Sequence, residues 1–129
     1  MTEAVWIEAQ DALMLHARLL ALHGGAAGLR DDGLLQSALA RPQQLYAYGE
    51  TPDIIDMATA YTAGIVGNHA FVDGNKRTGF VVGVLFLELN GYRFSATEEA
   101  AAQAVVELAA GALDEAGYTA FLRANTKAE

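Results

Sequence analysis

The chain has 129 residues, no cysteine, 53% hydrophobic and 19% charged residues, and a formal net charge of −8. That is the size of one domain, 1–129, long enough to bury roughly two-thirds of its unfolded surface; the composition argues against disorder, and the missing cysteines exclude disulfides, thiol nucleophiles and thiolate metal sites. The acidic balance speaks against direct nucleic-acid binding, no apolar run reaches the ~18 residues of a membrane span, and the acidic start Met1-Thr2-Glu3 has no signal-peptide pattern, so a cytoplasmic protein is expected.

Taken in order, residues 6–23 carry apolar side chains at Ile7, Leu13, Met14, Ala17, Leu20 and Ala21, a helical spacing that Leu15, Leu19 and Leu22 widen. His23-Gly24-Gly25 ends this helix. His16 and His23, seven apart, share a face; they are either a metal pair or, since no third ligand is at hand, packed or capping histidines. Residues 24–30 form a small-residue turn. Asp31 or Asp32 caps a short helix over 33–40, which Arg41-Pro42 stops, and Arg30 beside two acids reads as an ion pair and cap. Residues 43–52, with Tyr46, Tyr48 and Gly49, have no clean period and read as a loop or short hairpin. Thr51 caps the next helix, with Pro52 in its first turn. That helix runs to Gly67-Asn68 and is apolar almost all round, as a central helix should be.

A polar stretch follows, His69-Ala70-Phe71-Val72-Asp73-Gly74-Asn75-Lys76-Arg77-Thr78, then a nearly all-apolar helix over 76–89 closed by Asn90-Gly91. Tyr92-Arg93-Phe94 reads as a bridging strand, and Ser95 or Thr97 caps a helix over 98–110 that Gly111 ends. Asp114 or Glu115 opens a final amphipathic helix to Asn125, with Gly117 a weak point, and residues 126–129 read as frayed. The fold class is therefore all-α, a compact helical bundle of about five to seven helices.

The polar stretch holds the chemistry. Residues 74–78 sit where a helix begins, and free N–H groups and the positive end of the dipole attract anions there. Lys76 and Arg77 add two charges, Asn75 a further donor, and Gly74 lets the backbone approach closely, so a polyphosphate is the natural guest. Asp73 is placed to hold Mg²⁺, and His69 to take the proton from an incoming hydroxyl, since an imidazole titrates near neutral pH. Phe71 is a plug that pins the stretch to the core. The plainer alternatives are that Asp73 only caps the helix and that Lys76 is only solvated. A metal-dependent phosphodiesterase using His69 and Asp73 has too few ligands at hand. A binding module without catalysis is opposed by the intact His69.

His69, Phe71, Asp73, Gly74, Asn75 and Arg77 fit the pattern His-x-Phe-x-(Asp/Glu)-Gly-Asn-x-Arg-x-x-Arg, and the chain resembles the Fic/Doc superfamily in its death-on-curing (Doc) branch. Lys76 fills a slot usually held by Gly and Phe80 replaces the second Arg, both as in that branch. Gly28-Leu29-Arg30-Asp31, the run Leu34-Leu35-Gln36-Ser37-Ala38-Leu39-Ala40-Arg41-Pro42, and Asn90-Gly91-Tyr92 are similar to it too. The resemblance implies an all-α fold whose flap, here residues 43–52, holds a target segment beside the loop. It implies a toxin of a type II toxin-antitoxin system that moves the γ-phosphate of ATP, with Mg²⁺, to a threonine of elongation factor Tu and so stops translation. The catalytic residues it implies are His69, Asp73, Lys76 and Arg77, with Gly74, Asn75, Lys76 and Arg77 on the nucleotide. The self-inhibiting string Ser/Thr-x-x-x-Glu-Gly/Asn is not found, so a cognate antitoxin is implied. Transfer of AMP, as in Fic enzymes, is the alternative.

Overall fold

The structure, a computed structural model, describes residues 4–50 and 52–129. Six helices and a two-stranded ribbon make up the described residues: α1 (Ala9–His23), α2 (Asp32–Tyr48), α3 (Ile54–Asn68), α4 (Asn75–Leu89), β1 (Tyr92–Phe94), α5 (Glu98–Ala110), α6 (Glu115–Ala124) and β2 (Thr126–Ala128). The bundle is all-α in character, as expected, and no described helix is long and apolar enough to cross a membrane.

Helix α3 is central because its sequence has almost no polar face. Ile55, Met57, Ala58, Tyr61, Ile65 and Val66 are all buried, and α2, α4, α5 and α6 pack around them. The α3–α4 crossing depends on small residues. A Cβ at Gly79 would lie 2.9 Å from Val66 Cγ2 and 3.1 Å from the Thr62 carbonyl oxygen, closer than side chains tolerate. The Thr62 hydroxyl donates to the Gly79 carbonyl at 2.8 Å, which satisfies a buried hydroxyl inside that contact. The two helices that flank the polar loop are thereby locked to each other.

Caps set the helix starts. Asp31 accepts from Leu34 N, Thr97 from Ala100 N and Asp114 from Gly117 N. At α3 the expected cap, Thr51, lies outside the described residues, and Asp53 caps instead, with Pro52 before the helix. Asp53 Oδ1 accepts from Asp56 N at 2.9 Å and Asp56 Oδ2 from Asp53 N at 3.0 Å, a reciprocal box that satisfies two donors where a lone hydroxyl would satisfy one.

Three expectations fail. Helix α2 does not stop at Arg41-Pro42; it continues to Tyr48 with Pro42 inside. A proline in a helix interior costs about 3 kcal/mol. Burial offsets this: Pro42 is itself buried, and Leu45 and Tyr46 pack on the core, Tyr46 edge-on to Trp6 at 5.6 Å. The loop or hairpin expected over 43–52 thus shrinks to a short connector with no strand among its described residues, and Tyr48, 88% exposed, does not pack on the core. Residues 126–129 are not frayed either. Thr126–Ala128 pairs antiparallel with Tyr92–Phe94, and the Ser95 N–H to Asn125 and Glu129 N–H to Gly91 hydrogen bonds, both 2.8 Å, close its ends.

Candidate active site

The loop between α3 and α4 carries little regular structure, yet most of its backbone carbonyls and several of its N–H groups have partners. The Ala70 carbonyl accepts from the N–H groups of Arg30 (2.7 Å) and Asp31 (3.1 Å), and the Val72 N–H donates to the Gly28 carbonyl at 3.0 Å, so residues 28–30 lie against the loop as a short antiparallel bridge, Leu29 opposite Phe71. Arg30 does not form the expected ion pair. Its Nε donates to the His69 carbonyl at 2.7 Å and its Nη2 to that of Asn68 at 3.0 Å, so a cation satisfies the free carbonyls where α3 ends. These contacts hold His69 in the left-handed region, φ 50° and ψ 50°, the one non-glycine there among the described residues. The His69 side chain is exposed.

His16 is no metal ligand. It is buried, while His23 is exposed, and its ring stacks on Phe71 with centroids 3.8 Å apart and planes 12° from parallel. Its Nε2 lies 2.8 Å from the Asp73 carbonyl oxygen. A carbonyl only accepts, so Nε2 carries a proton. Phe71 is the buried plug the sequence suggested.

Asp73 is exposed and anchored from two sides. Its Oδ2 accepts from Ala26 N at 3.2 Å and its Oδ1 from Gly74 N at 2.8 Å; these bonds, with the nearby Arg77 charge, hold the carboxyl below the usual carboxylate range. The strap over Asp73 needs glycine. Gly25 has φ +122°, and a Cβ there would lie 2.8 Å from Asp73 Oδ2.

Asn75 departs from expectation. Its side chain is 93% buried (7% exposed) and turned back on the loop, where Oδ1 accepts from Phe71 N at 3.0 Å and Nδ2 donates to the Phe71 carbonyl at 2.9 Å. The amide therefore braces the loop, with its oxygen and one Nδ2 hydrogen both engaged by Phe71, and the Asn75 backbone N–H stands at the start of α4. The Gly74 N–H is likewise occupied by Asp73, so the free donors at the start of α4 are those of Asn75, Lys76 and Arg77; Thr78 N already bonds to the Gly74 carbonyl. Lys76 and Arg77 are exposed, and neither forms an ion pair among the described residues, although the chain carries a net charge of −8. Phe80, at the place of a second Arg, packs edge-on to Phe94 at 5.8 Å. His69 also lines a cavity of about 430 Å³, together with Ala63, Val66, Leu108, Leu113 and Asp114.

Sequence reasoning missed three supports of this loop: Arg30, His16 and the strap at 24–28. The cluster Gly24, Gly25 and Gly28, all with positive φ, was the available signal for a close backbone approach.

The loop thus brings together an exposed imidazole at the end of α3, a carboxylate held ionised by two backbone N–H groups, and two exposed cations on the first turn of α4 that form no ion pair among the described residues. Residues 6–87 match the family model described as Fic/DOC family, which is most of the chain, and the protein belongs to that family. Among curated proteins it is similar to "Toxin Doc" of Mycolicibacterium smegmatis (strain ATCC 700084 / mc(2)155), 43% identical over 74 residues, a match covering 57% of each chain. It is also similar to "Protein kinase doc" of Escherichia phage P1, 32% identical over 85 residues, covering 66% of this chain and 68% of that one.

Proposed function

We propose that this chain is a Doc-type toxin kinase that transfers the γ-phosphoryl group of ATP to a protein hydroxyl, with a threonine of elongation factor Tu as target and translation arrest as the result. The observation that carries the reading is the Lys76–Arg77 dication on the first turn of α4, exposed and without an ion pair among the described residues, with exposed His69 and ionised Asp73 in the loop before it. The names of the two relatives, one a toxin and one a protein kinase, support it.

The free N–H groups of Asn75, Lys76 and Arg77 and the two cationic side chains bind the polyphosphate, and Gly74 allows close approach. The donor set suits Mg²⁺. Asp73 is a single ionised carboxylate, and no group of three or more His, Cys, Asp or Glu side chains converges among the described residues; Mg²⁺ takes one or two carboxylates and fills its shell with water and phosphate oxygen. When bound, it would neutralise charge developing on the phosphates. His69 takes the proton of the acceptor hydroxyl as the new oxygen–phosphorus bond forms. The bond from the γ-phosphorus to the β,γ-bridging oxygen breaks, and ADP leaves.

Lys76 and Phe80 favour the γ-phosphorus over the α-phosphorus. Lys76 adds an ammonium where Fic loops have glycine, while Phe80 is turned to the aromatic packing of β1 and brings no charge. Charged contacts to phosphate contribute roughly 1.5–3 kcal/mol each, and about 1.4 kcal/mol is a tenfold preference in seating. Incubating the protein with elongation factor Tu and either γ-labelled or α-labelled ATP, followed by mass spectrometry, tests this. A gain of one phosphate on a threonine is the expected result; a gain of AMP refutes it. A cognate antitoxin completes the proposal: a small neighbouring protein that covers the loop and abolishes the activity. A catalytically active chain that is harmless when expressed alone would contradict that part.

A further inference from the structure

We infer that Arg30 is a positioning residue for the His69 base, a role that rests on the reading of His69 given above. Three consecutive carbonyls end on this one residue: those of Asn68 and His69 on the guanidinium, at 3.0 and 2.7 Å, and that of Ala70 on the Arg30 backbone N–H at 2.7 Å. The Asn68 side chain adds a fourth tie, donating to the Leu34 carbonyl at 2.9 Å. The region at φ 50° is sparsely populated by residues with a side chain and persists where the surroundings over-determine it. Here the over-determination comes from the guanidinium fork. It grips the carbonyls on both sides of the His69 N–Cα segment and so sets the direction in which the imidazole leaves the backbone. The bonds are charge-assisted, and they replace the backbone closure that usually finishes a helix. The guanidinium has no competing ion pair among the described residues, although Asp31 and Asp32 follow it directly. A lysine, with one compact ammonium, cannot span two carbonyls in fixed geometry.

Arg30 is exposed, so substitution there should leave the core intact. In Arg30→Lys and Arg30→Gln, kcat should fall roughly 10–100-fold, the usual cost of a small misplacement of a catalytic group, while KM for ATP stays unchanged because the phosphate anchors lie on α4. Millimolar methylguanidinium should restore part of the activity of Arg30→Ala. The His69 ring and Ala70 amide resonances, followed without substrate, should broaden or double in Arg30→Gln while the rest of the spectrum is preserved. Unchanged His69 and Ala70 resonances overturn the inference. So does a raised KM for ATP at unchanged kcat, which would make Arg30 a nucleotide ligand. If the wild-type chain transfers no phosphoryl group, the proposed function fails, and the resonance measurement still decides the clamp.

Discussion

Asn75→Ala separates a loop brace from a phosphate ligand. The native amide makes two buried hydrogen bonds to one residue, Phe71 N at 3.0 Å and Phe71 O at 2.9 Å. Alanine fills neither role and leaves a buried donor and a buried acceptor without partners. Each such group costs about 1–3 kcal/mol, so the two together cost roughly 2–6 kcal/mol. That is a large part of the 5–15 kcal/mol that typically holds a domain together, and it corresponds to a melting temperature lower by roughly 10 °C or more for a chain of this size. Thermal unfolding followed by far-UV circular dichroism, without nucleotide, measures it. The buried environment sharpens the contrast with Lys76→Ala, which removes an exposed cation and should leave the melting temperature within about 2 °C. If Asn75→Ala melts with the wild type and only raises KM for ATP, the amide is a phosphate ligand and the brace is wrong.

His69→Ala should abolish transfer while preserving the fold, because the side chain is exposed; a purified, folded variant with wild-type rates would remove His69 from the role of base. Asp73→Asn should weaken both activity and Mg²⁺ dependence, and identical Mg²⁺ titration curves would leave Asp73 a structural role only. The depressed pKa of Asp73 adds a pH effect. A group with a lowered folded-state pKa stabilises above its unfolded value, about 3.9, and loses that contribution as pH falls through the folded value. The stability gap between wild type and Asp73→Asn should therefore narrow below pH ~4; a gap independent of pH in urea melts refutes this. Lys76→Gly should sharply lower phosphotransfer and expose some AMP transfer, and unchanged phosphorylation would show that Lys76 does not set the phosphate attacked.

The sequence by itself determined the local features whose physics is short-range. The helical repeat of α1, the unbroken apolar face of α3, the Asn-Gly stop after α4 and the polar loop between two apolar helices were all legible, because each depends on residues a few positions apart. The motif His69 to Arg77 likewise marked a polar loop at a helix start. Only the tertiary structure decided what lies across the chain from that loop. Pro42 reads as a helix stop, and only the burial of Pro42, Leu45 and Tyr46 against the core reverses it. Thr126 to Ala128 look frayed until Tyr92 to Phe94 supply a partner strand. Asn75 carries the same motif letter whether its amide faces a phosphate or the Phe71 backbone, and the loop's own path settled which. Arg30 and His16 show no sign in the sequence of their hold on His69 and Asp73, because those contacts join residues 39 and 57 positions apart. Packing of α1 against α4 and the bridge of residues 28–30 to the loop bring them together, and a one-dimensional pattern does not encode that distance.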